Sequence, residues 1–163
     1  MSPSEPLDSS LSYRVSVVAG LLTLLVDQLT KNWARDSLAG EPPVEVIGSW
    51  LRFTYAENPG AAFSIFTGSG RTIGLIAIGV VVFLLVLIGK STRRSEAIGL
   101  GLILGGALGN LTDRMTRADG FLDGSVVDWI DWWFIPTFNV ADAALNVGVA
   151  MLLLGSLVAA ARD

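Results

Sequence analysis

Long apolar runs without a single charge dominate this 163-residue chain, and a chain so divided has few ways to fold in water. Thr72–Gly89, Ala97–Thr112 and Ala143–Ala161 contain 18, 16 and 19 residues, close to the ~20 that a helix needs to cross a bilayer. A fourth run, Val15–Val26, lies near the N-terminus behind Arg14. It does not read as a cleavable leader. Asp27, Lys31, Arg35 and Asp36 separate it from the small-residue site Ser37-Leu38-Ala39, so that region is too long and too charged. Composition agrees, with 16% charged residues and a mean hydropathy of +0.59, against ~25% charged for a soluble domain. The expected fold class is an all-α membrane protein of four transmembrane helices, over about 13–31, 72–89, 97–114 and 140–161. They form one domain, 13–163, behind a Ser- and Pro-rich tail, 1–12, expected to be disordered.

Four spans put both termini on one face. Lys90, Arg93 and Arg94 crowd the short second connection, and Arg14 and Arg162 flank the ends. The positive-inside rule makes that face cytoplasmic. The raw count does not decide this, since five Lys/Arg lie there and six opposite, but those six are diluted over two long acidic loops. All five tryptophans (Trp33, Trp50, Trp129, Trp132, Trp133) fall in those two loops. Tryptophan at a bilayer surface is normally an anchor, so the loops are expected to lie on the membrane. Val44–Val46 and Leu51–Tyr55 read as short strands, which predicts a small interfacial β-cradle in the first outer loop. Gly101, Gly105 and Gly109 are spaced four apart, the stripe that lets a neighbouring helix approach closely.

The chain has no cysteine and no histidine. Thiol nucleophiles, imidazole or thiolate metal sites and any Ser-His pair are thereby excluded, and neither a metal nor another cofactor is expected. No basic stripe suggests nucleic acid as a partner. What remains is a set of polar residues at the outer helix ends: Asp27 and Lys31 on the first span, Asn110, Asp113 and Arg114 on the third, Asn139 and Asp142 on the fourth, and Asp128 between. Each has an ordinary explanation. Asp27 and Lys31 are i,i+4 neighbours and fit either a helix-end ion pair or a site. Asn139 has the place of an N-cap, with Asp142 at the third helical position. Their convergence on one membrane face suggests instead two carboxylates sharing a proton and activating water against a peptide bond.

Five blocks then carry a resemblance. Asp27-Gln28-Leu29-Thr30-Lys31, Asn58-Pro59-Gly60-Ala61-Ala62-Phe63, the stretch from Gly105 to Arg114, Val126-Val127-Asp128-Trp129 and Phe138-Asn139-Val140-Ala141-Asp142 resemble, in order, the signature blocks of lipoprotein signal peptidase (signal peptidase II). The resemblance implies an aspartic endopeptidase of the bacterial cytoplasmic (inner) membrane, cleaving diacylglyceryl-modified prolipoproteins just before the lipidated cysteine. It also implies cytoplasmic termini, an active site at the outer face, a cradle and a short helix over the site. By it, Asp128 and Asp142 are the catalytic pair, and Asn58, Asn110, Arg114 and Asn139 line the site. Asp27, Lys31, Gly60 and Asp113 are supporting residues. The implied partners are the lipid-modified precursor, membrane lipids and globomycin-type inhibitors, and the implied state is a monomer. One departure is Trp129, where the family usually carries phenylalanine.

Two other classes compete. An ion-coupled transporter would need polar residues near the midplane, and spans two and four are almost wholly apolar there. A non-catalytic subunit assembled through GxxxG leaves the clustered Asp and Asn residues without a role.

Overall fold

In a computed structural model, residues 8–60, 70–118 and 120–161 are described. Four helices and four strands follow in the order α1 (Ser9–Leu38), β1 (Val44–Ile47), β2 (Leu51–Asn58), α2 (Gly70–Ile88), α3 (Arg94–Thr116), β3 (Val126–Trp132), β4 (Ile135–Phe138) and α4 (Val140–Ala160). Three of the helices, α1, α2 and α4, are long and apolar enough to cross a membrane. α3 has 23 residues but carries Arg94, Glu96, Asp113 and Arg114 at its ends, with five glycines between. Helix α1 starts earlier and ends later than the run that announced it. Asp8 caps it, and its side chain accepts from the Ser10 N–H, so residues 9–12 of the expected tail are helical. Residues 1–7 of that tail, and Ala61, Ala62 and Phe63 of the second block, lie outside the described residues.

The helices bury the opposite of what a soluble bundle buries. The inward stripe of α1 is Ser12, Ser16, Gly20, Thr23, Asp27, Lys31, Ala34 and Leu38, at three- and four-residue steps. Leu21, Leu22, Leu25 and Leu29 point outward and are more than half exposed. A small, polar seam facing inward with leucine outside is the arrangement lipid imposes, because hydrocarbon rewards close backbone packing rather than leucine burial. Helix α3 sits at the centre and packs against the other three. Its glycines set the spacing on two sides. A Cβ at Gly101 or Gly105 would strike the backbone oxygens of Ser16 and Gly20 on α1. A Cβ at Gly106 would meet the Ala141 oxygen of α4 at 2.5 Å. The glycine stripe is therefore a helix-packing device, with α1 as its partner. On the other side, Gly148 of α4 lies so close to α3 that its Cβ would fall 2.6 Å from the Gly99 oxygen.

The cradle is larger than the sequence suggests. β1 to β4 form one antiparallel sheet in that order. The expected strands at 44–46 and 51–55 are present, but half of the sheet comes from the segment before α4. A cradle confined to the first long loop is thus corrected to one shared between both. The reason is pairing: β2 runs on to Asn58 and offers its free edge to Val126–Trp132, whose β-branched and aromatic residues suit a strand. Trp129 is consequently core, not anchor. It is 8% exposed and packs edge-on against Trp33 and Phe53 at ring-centroid distances of 5.3 and 5.1 Å, fastening the sheet to the end of α1. Trp33, Trp50, Trp132 and Trp133 stay exposed, as anchors would. Among the described residues there is no short helix over the site.

Candidate active site

Asp128 lies in the middle of β3, opposite Ala56 of β2, while Asn58 pairs with Val126 two steps along. Asp142 lies in the first turn of α4. Sheet pairing and the α3–α4 contact carry both carboxyl groups to one cavity of about 330 Å³. Asn58, Gly60, Asn110 and Arg114 line it with them. Its far wall is apolar: Ile73, Ile76, Ala77 and Val80 from α2, and Leu145 from α4.

Three asparagines hold the two carboxylates, and each is turned by a neighbour. The Gly60 N–H donates to Asn58 Oδ1 at 3.1 Å, which leaves Asn58 Nδ2 to donate to Asp128 Oδ2 at 3.2 Å. The Asp142 N–H donates to Asn139 Oδ1 at 2.9 Å, so Asn139 Nδ2 faces Asp128 Oδ1 at 2.7 Å and Asn110 Oδ1 at 3.2 Å. Asn110 Nδ2 in turn donates to Asp142 Oδ1 at 2.8 Å. The Asn139 N–H closes a capping box on Asp142 Oδ2 at 3.3 Å, as the spacing of the two residues suggested. Asn139 is thus both helix cap and bridge between the two acids.

Burial and the nearby charge of Asp142 push the Asp128 carboxyl up to about 7, and its two asparagine donors only partly oppose this. Hydrogen bonds to a carboxylate favour its charge, yet in a cavity this apolar desolvation outweighs them. At neutral pH Asp128 is poised to carry a proton.

Behind the pair lies a second layer with no exposure. Lys31 Nζ contacts Asp27 Oδ2 and Asp113 Oδ2, each at 2.9 Å, and donates to Asn110 Oδ1 at 2.8 Å. The ammonium therefore has three partners for its three protons. Asp27 also accepts from the Ala141 N–H at 2.9 Å, which ties α1 to the start of α4. The helix-end ion pair expected for Asp27 and Lys31 exists, but within a larger network. Asp113 accepts from Lys31, from Arg117 at 2.8 Å and from the Val127 N–H at 3.1 Å, so it fixes the strand residue next to Asp128. Arg114 donates to the Gly60 and Gly124 carbonyls at 2.6 and 3.3 Å and holds both loops against the cavity.

All ten singled-out residues thus fall within one connected region: six of them on the cavity and Asn139, Asp27, Lys31 and Asp113 behind it. Sequence reasoning missed Gln28 and Arg117. Gln28 Nε2 donates to Asp27, Asp113 and the Gly109 carbonyl, each at 3.1 Å. Its signal was available, since an amide beside Asp27 on the inward-facing polar turn needs partners.

This architecture has relatives. A sequence profile of signal peptidase (SPase) II matches residues 19–158. The chain belongs to the signal peptidase II family. A lipoprotein signal peptidase of Rhodococcus jostii is 41% identical, over 99% of this chain and 81% of that protein. One from Mycobacterium avium is 43% identical, over 95% and 89%. A solved bacterial membrane enzyme superposes with a TM-score of 0.79 at 27% identity, covering 91% of this chain and 90% of its own. A second reaches 0.74 at 30% identity, covering 87% and 92%. As a member of the signal peptidase II family, this is a membrane-embedded bacterial protein, and the cavity that holds the two aspartates is the candidate peptidase site.

Proposed function

We propose that this chain is an aspartic endopeptidase of the cytoplasmic membrane that removes the signal peptide from diacylglyceryl-modified prolipoproteins, cutting before the lipidated cysteine. Membership of the signal peptidase II family supports peptidase action on lipoprotein precursors. The observation that carries the aspartic mechanism is that Asp128 and Asp142 open onto the same cavity with Asp128 buried. Asp142, held only by donors, takes a proton from water as the oxygen attacks the scissile carbonyl. Asp128 gives its proton to the carbonyl oxygen; as the tetrahedral species collapses and the C–N bond breaks, Asp142 passes the proton it took from water to the leaving amine and Asp128 takes one back from a hydroxyl of the diol. Asn58, Asn110, Arg114 and Asn139 hold the two acids and the cavity wall in place.

All four helices cross the membrane in this reading. α3 passes through enclosed by its three neighbours, which explains how it tolerates glycine and end charges that a lipid-facing helix would not. The cationic turn between α2 and α3 supports termini in the cytoplasm and the sheet, with the site, at the outer face. A precursor anchored by two acyl chains presents its scissile bond at headgroup level, and the apolar α2 wall suits the lipid. The same cavity would take a globomycin-type inhibitor. The enzyme acts as a monomer without a metal ion.

The test is incubation of the purified protein with a diacylglyceryl-modified precursor and with its unlipidated counterpart, each with and without a chelator. Cleavage of the lipidated form alone, unchanged by chelation, is expected. Equal cleavage of both forms removes the lipid from recognition. Loss on chelation, restored by one divalent ion, contradicts the two-aspartate mechanism.

A further inference from the structure

Lys31 is fully buried yet touches neither Asp128 nor Asp142, so proton transfer at the pair leaves it unused. Two of the three asparagines at the site are oriented by backbone N–H groups, Asn58 by Gly60 and Asn139 by Asp142. Asn110 is different. Its oxygen is held by side chains, by the Lys31 ammonium at 2.8 Å and by the neutral, longer Asn139 donor at 3.2 Å. A lysine has donors and no acceptor, so only the oxygen of the Asn110 amide can face it. The amide NH2 must then face Asp142, where it donates at 2.8 Å.

We infer that Lys31 is a positioning residue for the general base: it locks the Asn110 amide so that its NH2 is turned onto Asp142 and holds that carboxyl as an ionised acceptor. The inference rests on the reading of Asp142 as the base. The charges around Lys31 leave it free for this task. From α1 it faces Asp27, beside Gln28. From α3 it faces Asn110 and Asp113, and Asp113 is shared with Arg117. α4 and β3 reach this cluster only through the Ala141 and Val127 N–H groups. Two cations thus balance two anions, and Arg114 is engaged by carbonyls on the other side. Lys31 acts on Asp142 through the direction of one amide, its ammonium being paired by Asp27 and Asp113.

The test is the double variant Asp27→Asn/Lys31→Met. It removes one charge of each sign, leaves Asp113 with Arg117, and keeps an oxygen at residue 27 for the Ala141 N–H. With a parental thermal transition, it should show kcat down by about tenfold to a hundredfold, the loss of one charge-assisted hydrogen bond, with KM nearly unchanged. Its acidic limb should also move to higher pH, because an amide free to turn presents its oxygen to Asp142 and favours the protonated acid. A folded double variant with the parent's kcat and acidic limb overturns the inference. Asp142→Asn, assayed beside it, separates the two levels. If that variant still turns over, the reading of Asp142 as base fails and Lys31 falls with it. If it is inactive while the double variant is parental, only the role of Lys31 fails. Should the double variant lose its thermal transition, infrared spectra of 13C-aspartate-labelled parent minus Asp142→Asn at neutral pH decide. Loss of an ionised carboxylate band supports the inference, and loss of a protonated carboxyl band overturns it.

Discussion

Asp128→Asn and Asp142→Asn should each lower kcat on a lipidated precursor by about three to four orders of magnitude, the range that positioned acid–base groups contribute. Neither should unfold the protein. Asparagine keeps the shape of each carboxyl, and Asp142 lies in a helix turn capped by Asn139, whose own oxygen still accepts the residue-142 N–H. The two losses should not add in the double variant, because one acid without the other cannot complete the proton circuit. Cleavage within tenfold of the parent by either single variant removes that residue from the pair.

Asp113→Asn should fail differently, through stability. Its carboxylate is fully buried and meets four donors, from Lys31, Gln28, Arg117 and the Val127 backbone. An amide there turns one acceptor into a donor facing donors and leaves Lys31 with only Asp27 as counter-ion. Breaking a buried pair from one side costs about 3 kcal/mol or more, which for a chain of this size lowers Tm by roughly 10 °C. Some activity should survive below the transition, reduced because the Val127 contact also places Asp128. A parental Tm with activity lost outright would move Asp113 from support to chemistry.

Apolar runs announced four helices, and the glycine stripe announced a close helix–helix contact without saying that α1 makes it. The polar cluster at the outer helix ends was visible because a chain without histidine or cysteine leaves little else to do chemistry, and charged residues at helix ends are costly without a purpose, whereas Asn58, Gly60 and the choice of Asp128 with Asp142 came from the family resemblance. The second half of the sheet was not legible. Val126–Trp132 holds two aspartates and two tryptophans, a composition that reads as an interfacial loop until β2 is present to pair with it. Burial of Trp129 follows from that pairing and has no local signal. The role of Lys31 was hidden for the same reason: its i,i+4 partner Asp27 is visible in one dimension, whereas Asn110 and Asp113, 79 and 82 positions away, meet it only in the folded bundle.

The central claim is that the two aspartates share one proton and that Asp128 carries it. Its most direct measurement is kcat as a function of pH on a lipidated precursor. Burial and the charge of Asp142 push the Asp128 carboxyl up to about 7, and as the acid it works only while protonated. Activity should therefore rise from the acidic side as the base ionises, reach a maximum, and fall as pH increases through neutrality, with limbs that belong to the coupled pair. Asn58→Ala removes a donor that favours the charged form of Asp128 and should move the alkaline limb to higher pH. A rate still flat about two pH units above neutrality, in the parent and in Asn58→Ala alike, would contradict a protonated Asp128 as the acid.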